Sequence, residues 1–259
     1  MTAPTPASTS SRAGAQREPH RHIEPHARRA PADALLLIFG IAFTVCILAP
    51  VFTHGFFPLY PTLPWSPLVD FFTPIILIPL YWLLFASAGP ASARETVVFL
   101  VIAALWVLGH GVHLAANSIG YAMRPLPPSY AADLAHLYDE ILGHYFWHGG
   151  IVGLSALITL KSARVDTAAG ARVASRIIGA LLYGFTYFLV IVEGGTAPLG
   201  IPFAAAFVIV SLARSRTTLA RRPIHAFFFV AYLFASILFV VWALLHPGLP
   251  QFSEVGIID

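Results

Sequence analysis

Two stretches carry the residues that could do chemistry: "GHGVHLAANSIGY" at 109–121 and "YDEILGHYFWHGG" at 138–150. Both lie in runs otherwise apolar enough for lipid. Imidazole nitrogens and carboxylate oxygens are the donor set of zinc, iron, copper and nickel sites. His110, His113 and Asn117 are spaced i, i+3, i+7, and Glu140, His144 and His148 are spaced i, i+4, i+8, so each set lines one face of a helix. The spacing therefore predicts a divalent transition metal, zinc or iron, held by His110, His113, His144 and His148, in one site of three or four ligands or divided between two metals.

Glu140 is read as the fourth ligand or the base. Asp139, about 100° round the helix from it, is read as the second catalytic carboxylate, placed to support rather than to coordinate. Asn117, Glu193 and Asp70 complete the set as supporting residues. Such a metal lowers the pKa of a bound water to about 7 or activates oxygen. Haem is the lesser cofactor expectation, since His113 with His144 and His110 with His148 form level pairs on antiparallel helices. A proton relay through the same histidines and acids would instead make the protein a proton-coupled transporter.

The elements that must hold these residues follow from composition. Of 259 residues, 58% are hydrophobic and 10% charged, against about 25% charged in an average soluble domain. That excludes an ordinary soluble domain. It predicts an all-α, polytopic integral-membrane bundle, because helices satisfy their own backbone hydrogen bonds in lipid. Seven apolar segments approach the roughly 20 residues a span needs: 33–53, 68–88, 95–122, 137–160, 172–193, 197–213 and 224–246. Residues 1–30, rich in Pro, Ser, Arg and His, are predicted to be a disordered cytoplasmic tail. Residues 31–250 are predicted to form one membrane domain, and 251–259 a short external tail.

The basic residues supply sidedness. With the N-terminus cytoplasmic and the C-terminus outside, every Lys and Arg except Arg124 falls inside, as the positive-inside rule requires. On this topology the histidine stripes of the third and fourth segments lie in their outer halves. Gly109, Gly111, Ala115, Ala116, Gly143, Gly149 and Gly150 would let the two backbones approach closely. The basic residues lack aromatic interleaving, so no nucleic-acid partner is expected. Cys46, the single cysteine, excludes an internal disulfide. One Lys among fifteen basic residues, with abundant Ala, points to a GC-rich bacterial genome and an inner-membrane location.

Known intramembrane metal enzymes order their motifs differently. The alkaline ceramidase and adiponectin-receptor group places Ser-x3-His, then Asp, and then His-x3-His on its last helix. Here the His-x3-His is His144 and His148 on the fourth segment, and the last carries only His225 and His246. What is shared is the physical logic of a buried metal. The functional expectation is a metal-dependent membrane enzyme, a hydrolase or an oxidase or hydroxylase, acting on a lipid or lipid-soluble substrate at the outer leaflet.

Overall fold

The computed structural model describes Thr2 and residues 32–164, 173–213 and 222–258. The predicted N-terminal tail lies outside these apart from Thr2, as do several of the basic residues counted above. The described chain is mostly helical: α1 (Ala32–Leu48), α2 (Trp65–Asp70), α3 (Phe72–Ser87), α4 (Ala93–Met123), α5 (Tyr130–His136), a π-helical segment (Leu137–Gly143), α6 (His144–Ser162), α7 (Val173–Glu193), α8 (Ala197–Ala213) and α9 (Pro223–Leu245). Five stretches are long and apolar enough to cross a membrane: Trp65–Ser87, Ala93–Met123, Tyr130–Ser162, Val173–Glu193 and Pro223–Leu245. α1 and α8 are apolar and have 17 residues each. Large apolar side chains such as Ile38, Ile75, Val101, Ile209 and Leu244 face outward, as lipid contact would favour.

Local chemistry sets the helix ends. Ser92 Oγ accepts from Glu95 N at 3.2 Å, and Glu95 Oε2 accepts from Ser92 N at 2.9 Å. This capping box starts α4. The helix stops before Pro125, Pro127 and Pro128, which cannot donate to carbonyls one turn back. Gly89, at φ 109°, turns the chain after α3. Lys161, from α6, donates to Phe85 O at 2.8 Å and to Gly89 O, satisfying carbonyls that the end of α3 leaves open.

Two elements depart from the sequence reading. The proline-rich stretch after α1 forms a small antiparallel hairpin, Phe56–Phe57 against Tyr60–Pro64, two short strands where prolines are tolerated. The fourth segment begins at Tyr130 rather than 137. Ser129 Oγ accepts from Ala132 N at 3.3 Å, and the short helix Tyr130–His136, whose apolar residues are interrupted by Asp133 and His136, continues into the apolar helix. Hydropathy alone starts that helix late.

α7 packs against α1 and α9, and α4 packs against α6. A Cβ on Gly40 would meet the backbone of Gly179, and one on Gly179 would lie 2.8 Å from Leu36 O. α1 and α7 therefore touch backbone to backbone, as small residues permit. Tyr183 and Tyr187 bond between helices. Tyr183 Oη lies 2.9 Å from Ser155 Oγ and 3.3 Å from Tyr232 Oη, and Tyr187 Oη donates to Gly200 O at 2.9 Å.

The segment after α9 folds back over the end of the bundle. Phe252 is buried against Trp242 and Phe188, and Trp242 Nε1 donates to Pro250 O at 3.0 Å. Glu193 Oε2, at the end of α7, accepts from Phe252 N at 2.8 Å and from Ser253 N at 3.3 Å. The structure thus places Glu193, expected to support the histidine site, on the backbone of the segment after α9. Replacing Glu193 by Gln keeps the shape but weakens both bonds, at a cost of about 1 kcal/mol. Hydrogen exchange at Phe252 and Ser253 should accelerate while the helices keep their protection.

Candidate metal centre

α4 and α6 bring the two histidine stripes together because glycine stands at their contacts. A Cβ on Gly109 would collide with the backbone of Trp147. One on Gly143 would lie 2.9 Å from His113 N and Cα, and one on Gly150 would lie 2.5 Å from Trp106 Cβ. Gly111 has open space around it, so not every small residue on the stripe serves the contact.

His113, Asp139 and His144 each offer a ligand atom, and these atoms all lie within 4.8 Å of one another. The His113 and His144 ring centroids are 4.5 Å apart. His113 Nδ1 lies 2.5 Å from Asp139 Oδ1. Three residues from two crossing helices thus meet at one point. Ligands at 2.0–2.2 Å from a tetrahedral ion stand about 3.3 Å apart, so joint ligation opens the His113 to Asp139 contact by less than an ångström and draws in ligand atoms that lie as much as 4.8 Å apart.

Asp139 reaches this group through the π-helical segment. In a regular α-helix Asp139 and His144, five residues apart, would point about 140° from each other. The i to i+5 hydrogen bonds of a π turn bring such residues to the same side. The carboxylate expected only to support therefore lies among the ligand atoms. Glu140, one residue on, stays i+4 from His144, with Oε2 at 3.5 Å from His144 Nδ1. That contact is an ion-pair approach and not a hydrogen bond, so His144 Nδ1 is buried without a hydrogen-bond partner among the described residues.

The other predicted residues lie close by in different environments. The four histidines surround the Trp147 indole: its ring centroid is 5.4 Å from His113, 6.3 Å from His144, 5.1 Å from His148 and 4.9 Å from His110. His110 also stacks on Trp106 at 5.2 Å, and its Nε2 contacts Asp70 Oδ1 at 3.1 Å. Thr73 Oγ1 donates to the same oxygen at 2.8 Å. Asp70 thus supports His110 in a buried pair of its own, separate from the three-residue group. Asn117 is exposed on α4 beyond His113.

His148 sits one turn deeper than His144, with the rings nearly parallel and 5.4 Å apart. Its Nδ1 is 2.6 Å from Thr196 Oγ1. Its Nε2 is buried and has no hydrogen-bond partner among the described residues, as is true of Trp147 Nε1 and Trp106 Nε1. Thr196 escaped sequence reading, and so did Gly194, where a Cβ would lie 2.5 Å from His148 Cε1 and 3.2 Å from His144 Cγ. The adjacent "EGGTAPLG" marks a turn but gives no sign that the turn makes room for two imidazoles. A pocket of about 500 Å³ opens beside the group, lined by Glu140, Ile141, Tyr145, Gly195 and Gln251.

Fold and site together define a membrane-type helical bundle with a histidine and aspartate group able to hold a metal ion. Compared with known protein families, curated proteins and solved structures, the chain matches none.

Proposed function

We propose that this chain is a seven-span protein of the bacterial cell membrane, with its N-terminus cytoplasmic and its C-terminus outside. On this reading it is a metal-dependent enzyme acting on a lipid or lipid-soluble substrate at the outer leaflet, by hydrolysis or oxidation. The observation that carries the proposal is the convergence of His113, Asp139 and His144 from two helices, with ligand atoms within 4.8 Å of one another. Ionisable groups at membrane depth are costly and usually mark function. The sidedness rests on the basic residues: Arg94, Lys161, Arg164 and Arg176 lie toward the helix ends remote from the histidines, as their positions along α4, α6 and α7 require.

A bare ion suits the site better than haem. The backbones at Gly109 and Gly143 leave no gap between α4 and α6 into which a macrocycle could slide. A zinc or iron ion held there would supply Lewis acidity or oxygen activation. The chain itself would hold the ion through His113, Asp139 and His144, with the Glu140 carboxylate 3.5 Å from the His144 ring. The pocket at Glu140, Ile141 and Tyr145 mixes apolar and polar lining, which suits an amphiphile entering from the lipid. Elemental analysis of the purified wild-type protein tests the reading. About one equivalent of zinc or iron per chain supports it, and protein that neither retains nor rebinds either metal ends it.

A further inference from the structure

A second pocket lies at the other end of α4, remote from the histidine group. It has a volume of about 460 Å³ and is lined by Ser92, Arg94, Glu95, Val98, Leu157 and Arg164. Glu95 and His113 are eighteen residues apart on one helix, which places the two sites roughly 27 Å from each other at 1.5 Å per residue.

The charges of this pocket do not cancel. Glu95 is fully engaged: Oε2 accepts from Ser92 N and Ser92 Oγ, both at 2.9 Å, and Oε1 accepts from Arg164 Nη1 at 2.6 Å. Its one negative charge faces two guanidinium groups. Arg94 is exposed and has no ion pair or hydrogen bond among the described residues. The Arg164 side chain is 71% exposed, so the donors that Glu95 does not use remain open. Nearby Lys161 is spent on the carbonyls of Phe85 and Gly89 and adds positive charge behind the pocket.

The rest of the lining is apolar and runs toward the middle of the bundle. Val98 is one turn beyond Arg94, about 6 Å deeper, and Leu157 is about 10 Å deeper than Arg164. A cationic rim over an apolar wall matches an amphiphile with an anionic head. The rim also stands at the first turn of a 31-residue apolar helix, the depth at which headgroups meet hydrocarbon. Guanidinium groups bind phosphate oxygens in bidentate fashion.

We infer that Arg94 and Arg164 form a binding site for the headgroup of an anionic phospholipid, with Val98 and Leu157 seating the start of its acyl chain. A zwitterionic lipid brings a cation to a rim already in positive excess. Each basic residue near an anionic headgroup contributes about 1 kcal/mol, a factor of about five in affinity.

The test is native mass spectrometry of the delipidated full-length protein offered phosphatidylglycerol and phosphatidylcholine with identical acyl chains. Wild-type protein should retain phosphatidylglycerol over phosphatidylcholine by about fivefold or more. The double variant Arg94→Gln, Arg164→Gln should bring the ratio close to one. Glu95→Gln keeps a capping-box residue at its position while removing the opposing charge, so it should raise the ratio and decides the matter even if the double variant does not fold. A wild-type ratio near one, or ratios unmoved by these substitutions, overturns the inference. Displacement of the lipid by millimolar inorganic phosphate also overturns it, in favour of a plain anion site.

Discussion

Replacing His144 by Ala is expected to leave the purified protein without its metal, whereas His110→Ala retains it. Both histidines are buried and both touch the Trp147 ring, so loss of bulk alone does not distinguish them. Their partners do. His144 shares its ligand-forming group with His113 and Asp139, while His110 is turned to Asp70. Asp139→Asn preserves volume but lowers donor strength, and should weaken binding of the ion by at least about 10–100-fold, the usual cost of losing a group that only orients a ligand. Titration with Co²⁺ checks all three variants, read as quenching of the indole beside the site and subtracted against Trp147→Phe. Equal affinity in wild type and His144→Ala would remove the three-residue group from consideration.

The second large effect is on stability, and it changes sign between two glycines of the same pair of stripes. Gly143→Ala inserts a methyl group 2.9 Å from the backbone of His113, atoms that cannot rotate away as a side chain would. α4 and α6 must separate, at about 1–3 kcal/mol, the ordinary range for overpacking. The same separation pulls His113 from His144, so metal affinity should fall along with the thermal midpoint. Gly111→Ala meets nothing within 4 Å and gains helix propensity of up to about 1 kcal/mol. Thermal unfolding in detergent should therefore move down for the first variant and up for the second. A Gly143→Ala protein as stable as wild type would mean that the two helices are not held this closely.

The helical architecture was legible because lipid-length apolar runs leave few alternatives, and each of the seven segments overlaps described helix, although the first, read to 53, ends at Leu48. The start of α5 was not legible, since Asp133 and His136 interrupt the apolar residues of Tyr130–His136 and its helicity comes from the Ser129 cap and from the helix it feeds. The histidine stripes could be read from spacing alone, but their grouping could not. Regular helical geometry sends Asp139 away from His144, and nothing in "YDEILGH" announces a π turn. Four histidines at matching depth suggested one common centre. The Trp147 indole of α6 stands between His110 and His113 of α4, which periodicity cannot convey because it says nothing about side-chain volume between two helices. Thr196 and Gly194 lay beyond reach for another reason, since the turn they occupy is distant in sequence and touches His148 only through the tertiary fold.

The fold-back after α9 also has a mechanical consequence. Because Glu193 grips the amides of Phe252 and Ser253, a force applied at the C-terminus reaches the end of α7 as well as α9. Pulling the chain out from that end should first release a few residues in a small, separate rupture at Glu193. The last helix would then extract in a larger event, with the histidine-bearing pair α4 and α6 still assembled behind it.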